Sequence, residues 1–219
     1  MSRLYGEQHR ILQAEFGTTQ LADRVEAIAC KTEFDDDAKG FIEHQDMFFL
    51  SSIDHQGRPT VAYKGGDAGF VKVLDANTLM FPSYDGNGMF FSIGNISTNP
   101  QVGLLFISFE KPHRIRVQGT ATLSRDPSLL SQYKEAEFVV VVKLSELWQN
   151  CPRYIHQMEK VRESRYVPRQ GCETPIAEWK RIDLMQDVIL EKDKATVETL
   201  GTIDIDTWVE RIKTGHPEA

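Results

Sequence analysis

Cysteine is scarce in this chain, and what there is does not pair. The three cysteines, Cys30, Cys151 and Cys172, are far apart, with no CxxC and no histidines at ligand spacing. Neither a disulfide framework nor a structural metal site is expected. No apolar run approaches membrane-spanning length, and the amino terminus, MSRLYGEQHRILQAEF, has no apolar signal core; the expectation is a cytoplasmic protein without a membrane partner. Basic charge is in deficit, with 25 lysines and arginines against 32 acids and a net charge of -7. That balance argues against a nucleic-acid partner, although a few arginines in a cleft can still oppose the global sign. No linker interrupts the 219 residues, so a single domain over 1–219 is expected, long enough to bury a substantial core.

What is present is a series of short strands. Between Thr60 and Ala121 the runs TVAYK, FVKVL, TLMF and VGLLFIS, with RIRVQGTATL straddling the end, are joined by Gly, Asp, Asn or Pro. Such runs read as consecutive strands of an antiparallel sheet. MFFLSSID precedes them, its solid apolar block predicting burial on both faces or at a subunit contact, and valine-rich EFVVVVKLSEL follows as a central or interface strand. Helices flank this mainly β, α+β core. Leu21, Val25 and Ile28 keep helical spacing after Thr18 and Thr19 in an extension reaching about residue 45. Asp35 to Asp37 suit the first turn of a further helix, as a solvated cap rather than a metal site. A polar helix is expected near Pro127 to Lys134, and another from Pro152 carrying Tyr154, Ile155 and Met158 on one side. VETLGTIDIDTWVERIK is helix-compatible within a second extension, about 183–219, and Trp179 and Trp208 read as packing residues.

Three features carry candidate chemistry. The connection SYDGNGMFFSIGNISTNP is too long for a hairpin and opens with Gly86, Asn87 and Gly88 before a helix-compatible stretch. It reads either as an anion cradle of backbone N–H groups or as an ordinary loop whose glycines satisfy turn geometry. In RIRVQGTATL, Arg114 and Arg116 alternate with Ile115 and Val117, so both guanidinium groups leave one face, to grip a phosphate or to be solvated and paired. Cys151, at an expected helix start, is a candidate thiolate, but nothing joins a histidine to it and a packed structural cysteine is the expectation.

At YKGGDAGFVKVLD, FPSYDGNGMFFSIGNISTNPQVGLLFISF, RIRVQGTA and NCPRYIH the chain resembles the pyridoxamine 5'-phosphate oxidase-related family over roughly residues 40–182. The resemblance implies an antiparallel split β-barrel with peripheral helices, and a homodimer holding FMN between subunits. In it TVAYK lies under the isoalloxazine, placing Tyr63 and Lys64 there, and FPSY puts Ser83 and Tyr84 at the ring or ribityl chain. GNGMFFS stands at the phosphate, giving Asn87, Gly88 and Ser92 that role with Arg116, while Asn150, Arg153 and Tyr154 close the site from the partner chain. The sequence departs from the family at Phe90, Phe91 and Ser92, where pyridoxamine phosphate oxidases carry Ser-Arg-Lys, and it ends in GHPEA rather than a Trp and Arg pattern. Pyridoxamine phosphate is therefore not the expected substrate. The implied function is an FMN-dependent oxidoreductase or flavin reductase working by hydride transfer, with a non-catalytic flavin- or haem-binding protein as the alternative.

Overall fold

The computed structural model describes residues 2–217, in two compact units, 1–161 and 162–219. Unit one begins with α1 (Glu7–Glu15), α2 (Thr19–Ala29), the two-residue β1 (Cys30–Lys31) and α3 (Asp36–His44). Asp35 caps α3 by accepting the Ala38 backbone N–H at 2.9 Å, as its acidic start suggests. Thr18 stands at the cap position of α2, but its side chain makes no cap hydrogen bond.

Seven strands follow: β2 (Met47–Ile53), β3 (Pro59–Gly65), β4 (Lys72–Asp75), β5 (Thr78–Tyr84), β6 (Gln101–Ser108), β7 (His113–Ser124) and β8 (Ala136–Asn150). Helix α4 (Phe91–Thr98) bridges β5 to β6, and α5 (Pro127–Leu130) leads into β8. The sheet order is β3-β2-β6-β7-β8-β5-β4, with β1 added to β8. Every pairing in it is antiparallel. β3 and β4 are its two edges, so the sheet is not closed: it is a split barrel with peripheral helices.

The interior is organised on Phe48, whose ring meets Phe81 at 4.9 Å, Phe106 at 5.1 Å and Phe70 at 5.9 Å between centroids. Alternation assigns the faces: in β2, Phe48, Leu50 and Ser52 are buried while Met47, Phe49, Ser51 and Ile53 are half-exposed. Its solid apolar block is thus buried on one face only within the chain, because Phe49 looks outward beside Tyr63.

β8 is central, as its valines suggested, pairing β7 along its length and β5 along its first half. The register shifts where Gln118 faces Glu146 and Gly119 faces Leu144, a bulge that curls the sheet. Glycine is required there, since a Cβ at residue 119 would lie 2.3 Å from the Lys143 carbonyl oxygen.

The expected helix from Pro152 does not form. Tyr154 adopts a left-handed φ of 72°, and the segment runs beside the β6–β7 turn instead. There Met158 N–H donates to the Phe109 carbonyl at 3.1 Å and Gln157 Nε2 to the Glu110 carbonyl at 3.2 Å. Tertiary hydrogen bonds override the helical spacing of the apolar residues.

Unit two contains α6 (Glu191–Leu200) and α7 (Ile205–Thr214), with a bridge between Ile182 and Ile203. Its buried charges are paired: Lys180 Nζ meets Asp193 Oδ2 at 2.9 Å, and Glu178 meets Arg181 and Arg211. No helix among the described residues is long and apolar enough to cross a membrane.

Candidate functional site

Strand register sorts the expected site residues onto two faces. Lys64 pairs with Phe48, and Ser83 with Phe138, whose neighbour Val140 pairs with Phe81. Since Phe48 and Phe81 touch in the core, Lys64 and Ser83 share the interior face beside the split. Lys64 is half-buried, and no acid or other hydrogen-bond partner meets it among the described residues. Burial pulls its ammonium below the ordinary lysine pKa.

The long connection from β5 to β6 carries the glycine-rich start and α4. Gly88 takes a φ of 76°, and Phe90, at φ 47°, stands at the cap position of α4 with no side-chain acceptor there. The first N–H groups of α4 are therefore uncapped by any side chain. Ser92, buried in that first turn, makes no hydrogen bond among the described residues. Asn87 is committed to its own loop, accepting Met89 N–H on Oδ1 at 3.1 Å and directing Nδ2 at the Met89 sulfur.

The helix start is held rigidly. Ile93 and Ile96 enter the core, and between them buried Asn95 donates from Nδ2 to Ser52 Oγ at 3.1 Å, Ser52 in turn meeting Thr60 Oγ1 at 3.1 Å. This network, absent from the sequence reading, ties α4 to β2 and β3; a polar residue inside an apolar helix face was its only trace. Phe90 also lies edge-on to Phe138 at 6.4 Å, with the Arg125 guanidinium 4.4 Å above the Phe138 ring. Neither aromatic was expected at the site.

The remaining residues lie elsewhere. Tyr63 points outward, 63% exposed, and Arg116, between cross-strand neighbours Leu105 and Trp148, leaves the same outer face. Tyr84 packs away from the interior, where burial, with Asp67 and Glu135 adding, raises its hydroxyl to about 12. Arg153 and Tyr154 are exposed beyond β8, with the guanidinium 5.6 Å from the Tyr154 ring. Asn150 turns its Oδ1 into the chain's own interior. Cys151 is exposed, not packed; the backbone N–H and guanidinium of Arg153 lower its thiol pKa.

The residues on and beside the interior face are an unneutralised lysine, Lys64, the Ser83 hydroxyl, and the side-chain-uncapped start of α4 next to Phe90 and Phe138. Tyr63 and Arg116 thus leave the sheet on the opposite face from Lys64 and Ser83.

The family profile of pyridoxamine 5'-phosphate oxidase matches residues 34–150, just over half of the chain. No curated protein matches it. Among solved structures, a Lactobacillus delbrueckii protein provisionally named a pyridoxamine 5'-phosphate oxidase is 20% identical, with 54% of this chain and 95% of that one covered and a TM-score of 0.45. HupZ of Group A Streptococcus is 14% identical, with 57% and 99% covered and a TM-score of 0.44. An FMN-binding protein of Syntrophomonas wolfei is 8% identical, with 64% and 97% covered and a TM-score of 0.43. On the extent of the profile match, the chain belongs to the pyridoxamine 5'-phosphate oxidase family.

Proposed function

We propose that the protein binds FMN as a homodimer, with the cofactor at the subunit interface, and acts as an oxidoreductase or flavin reductase on a substrate other than pyridoxamine phosphate. The observation that carries the reading is Lys64, a half-buried cation without a partner, on the same interior face as Ser83. A desolvated, unpaired ammonium is costly unless a ligand supplies the missing charge.

In this reading Lys64 sits at the electron-rich edge of the ring, and Ser83 hydrogen-bonds the ring or the ribityl chain. The uncapped turn of α4, with Gly88 and Ser92, receives the phosphate in place of the family's Arg-Lys pair. Asn95 fixes the angle of that turn and so acts as a positioning residue. Phe90 and Phe138 exclude water from the interior side. Tyr63, Arg116, Arg153 and Tyr154, facing outward or lying beyond β8, serve the cofactor of the other subunit, which is why two copies complete the site. FMN, when bound, supplies hydride chemistry; the chain's contribution is to hold it, place positive charge beside it and keep water out.

The experiment is an anaerobic addition of NADH and NADPH to FMN-loaded protein, followed at the flavin absorbance maxima. Bleaching supports a reductase. Protein that stays oxidised with either donor contradicts the reductase reading, and a Soret band on adding haem would favour a haem carrier instead.

A further inference from the structure

The strand register carries the interior face out to a rim. Phe81, Val140 and Leu123 stand opposite one another across β5, β8 and β7, and all three pack in the interior. Two residues further along each strand, Ser83 pairs with Phe138, while Arg125, just past the end of β7 at Ser124, lays its guanidinium 4.4 Å over the Phe138 ring. The same ring meets Phe90 at the cap position of α4. One aromatic side chain thus joins a cation to the helix start.

Arg125 is seated but not neutralised. It is exposed, and no acid or hydrogen-bond acceptor meets its side chain among the described residues. The adjacent Asp126 is committed to α5, accepting the Ser128 N–H at 2.8 Å and the Ser128 hydroxyl at 2.7 Å. At the start of α4, Ser92 is 8% exposed and makes no hydrogen bond among the described residues, yet its hydroxyl oxygen is not one of the orphaned atoms sealed from solvent. That hydroxyl stays open to a partner from outside the chain. A guanidinium, a hydroxyl and uncapped helix N–H groups are all donors, the set a phosphate requires. We propose that Arg125 engages the phosphate of the bound flavin and supplies the positive charge of the Arg-Lys pair that this chain lacks. The inference rests on the flavin reading. Phe138 is a positioning residue, because its ring holds a long side chain in place before the ligand arrives and so lowers the cost of ordering it.

The test titrates the full chain with FMN and with riboflavin, which lacks only the phosphate, and reads flavin fluorescence. Arg125→Ala should weaken FMN by about tenfold or more and leave riboflavin within about twofold. Arg125→Lys keeps the charge without the planar fork and should recover part of the lost FMN affinity. Phosphorus NMR adds a readout that does not depend on affinity: at saturating FMN the bound phosphate resonance should move between the protein and Arg125→Ala. Because Arg125 is exposed, the alanine variant should melt as the parent protein does. Equal losses for both flavins, no loss for FMN, a lysine variant no better than alanine, or an unmoved phosphate resonance would each overturn the role of Arg125 while leaving flavin binding itself intact. If the unaltered protein takes up neither flavin, the flavin reading fails and this inference fails with it.

Discussion

Replacing Lys64 with methionine separates the cost of the buried lysine from its use. Methionine keeps an unbranched apolar stem opposite Phe48 and removes an ammonium that no acid meets among the described residues. Burial already holds that ammonium below the usual lysine pKa, so the unliganded protein should melt at the same temperature or higher. If flavin binds beside Lys64 as proposed, the sign reverses, because a lysine there would stabilise the more electron-rich reduced ring. A charge-assisted hydrogen bond contributes about 1.5–3 kcal/mol. For a two-electron couple, in which about 30 mV corresponds to about 1.4 kcal/mol, Lys64→Met should lower the midpoint potential by about 30–60 mV. Equilibration with reference dyes measures it. An unchanged or raised potential, or a lysine whose removal unfolds the empty protein, would refute the placement of Lys64 at the ring.

Three further outcomes follow from named contacts. Ser92→Ala should weaken FMN by about 1 kcal/mol with little effect on riboflavin, and Arg116→Ala should show the same preference; equal losses for both ligands in fluorescence titrations would place neither residue at the phosphate. Gly119→Ala drives a methyl against the Lys143 carbonyl and should destabilise the fold by about 3 kcal/mol in urea melts. Asp54 accepts from the Arg58 side chain and the Arg58 and Gln56 backbone, which lowers its carboxyl to about 2. A depressed carboxylate stabilises above its unfolded pKa of about 3.9 and loses that contribution as pH falls towards about 2. The difference in melting temperature between the protein and Asp54→Asn should therefore shrink between those pH values.

The sheet was legible because alternation fixes faces: the same period that reveals β2 and β7 as strands puts Lys64 inside and Arg116 outside. α4 was legible from the glycine-rich start of a connection too long for a hairpin. β1 was not, since two residues carry no period. The segment after Cys151 was misread because Tyr154, Ile155 and Met158 imitate a helical stripe, while the backbone bonds that decide its path reach Phe109, far back in the chain. Asn95 was invisible for the same reason: its meaning lies in Ser52 and Thr60, on two other elements.

The most direct test of the cofactor site is an equilibrium titration of purified protein with FMN, reading flavin fluorescence and visible absorbance. Saturable quenching with one FMN per chain, on a particle of twice the chain's 24.9 kDa mass, is the predicted result. Flavin that stays free in solution at protein concentrations where the chain is folded would contradict it.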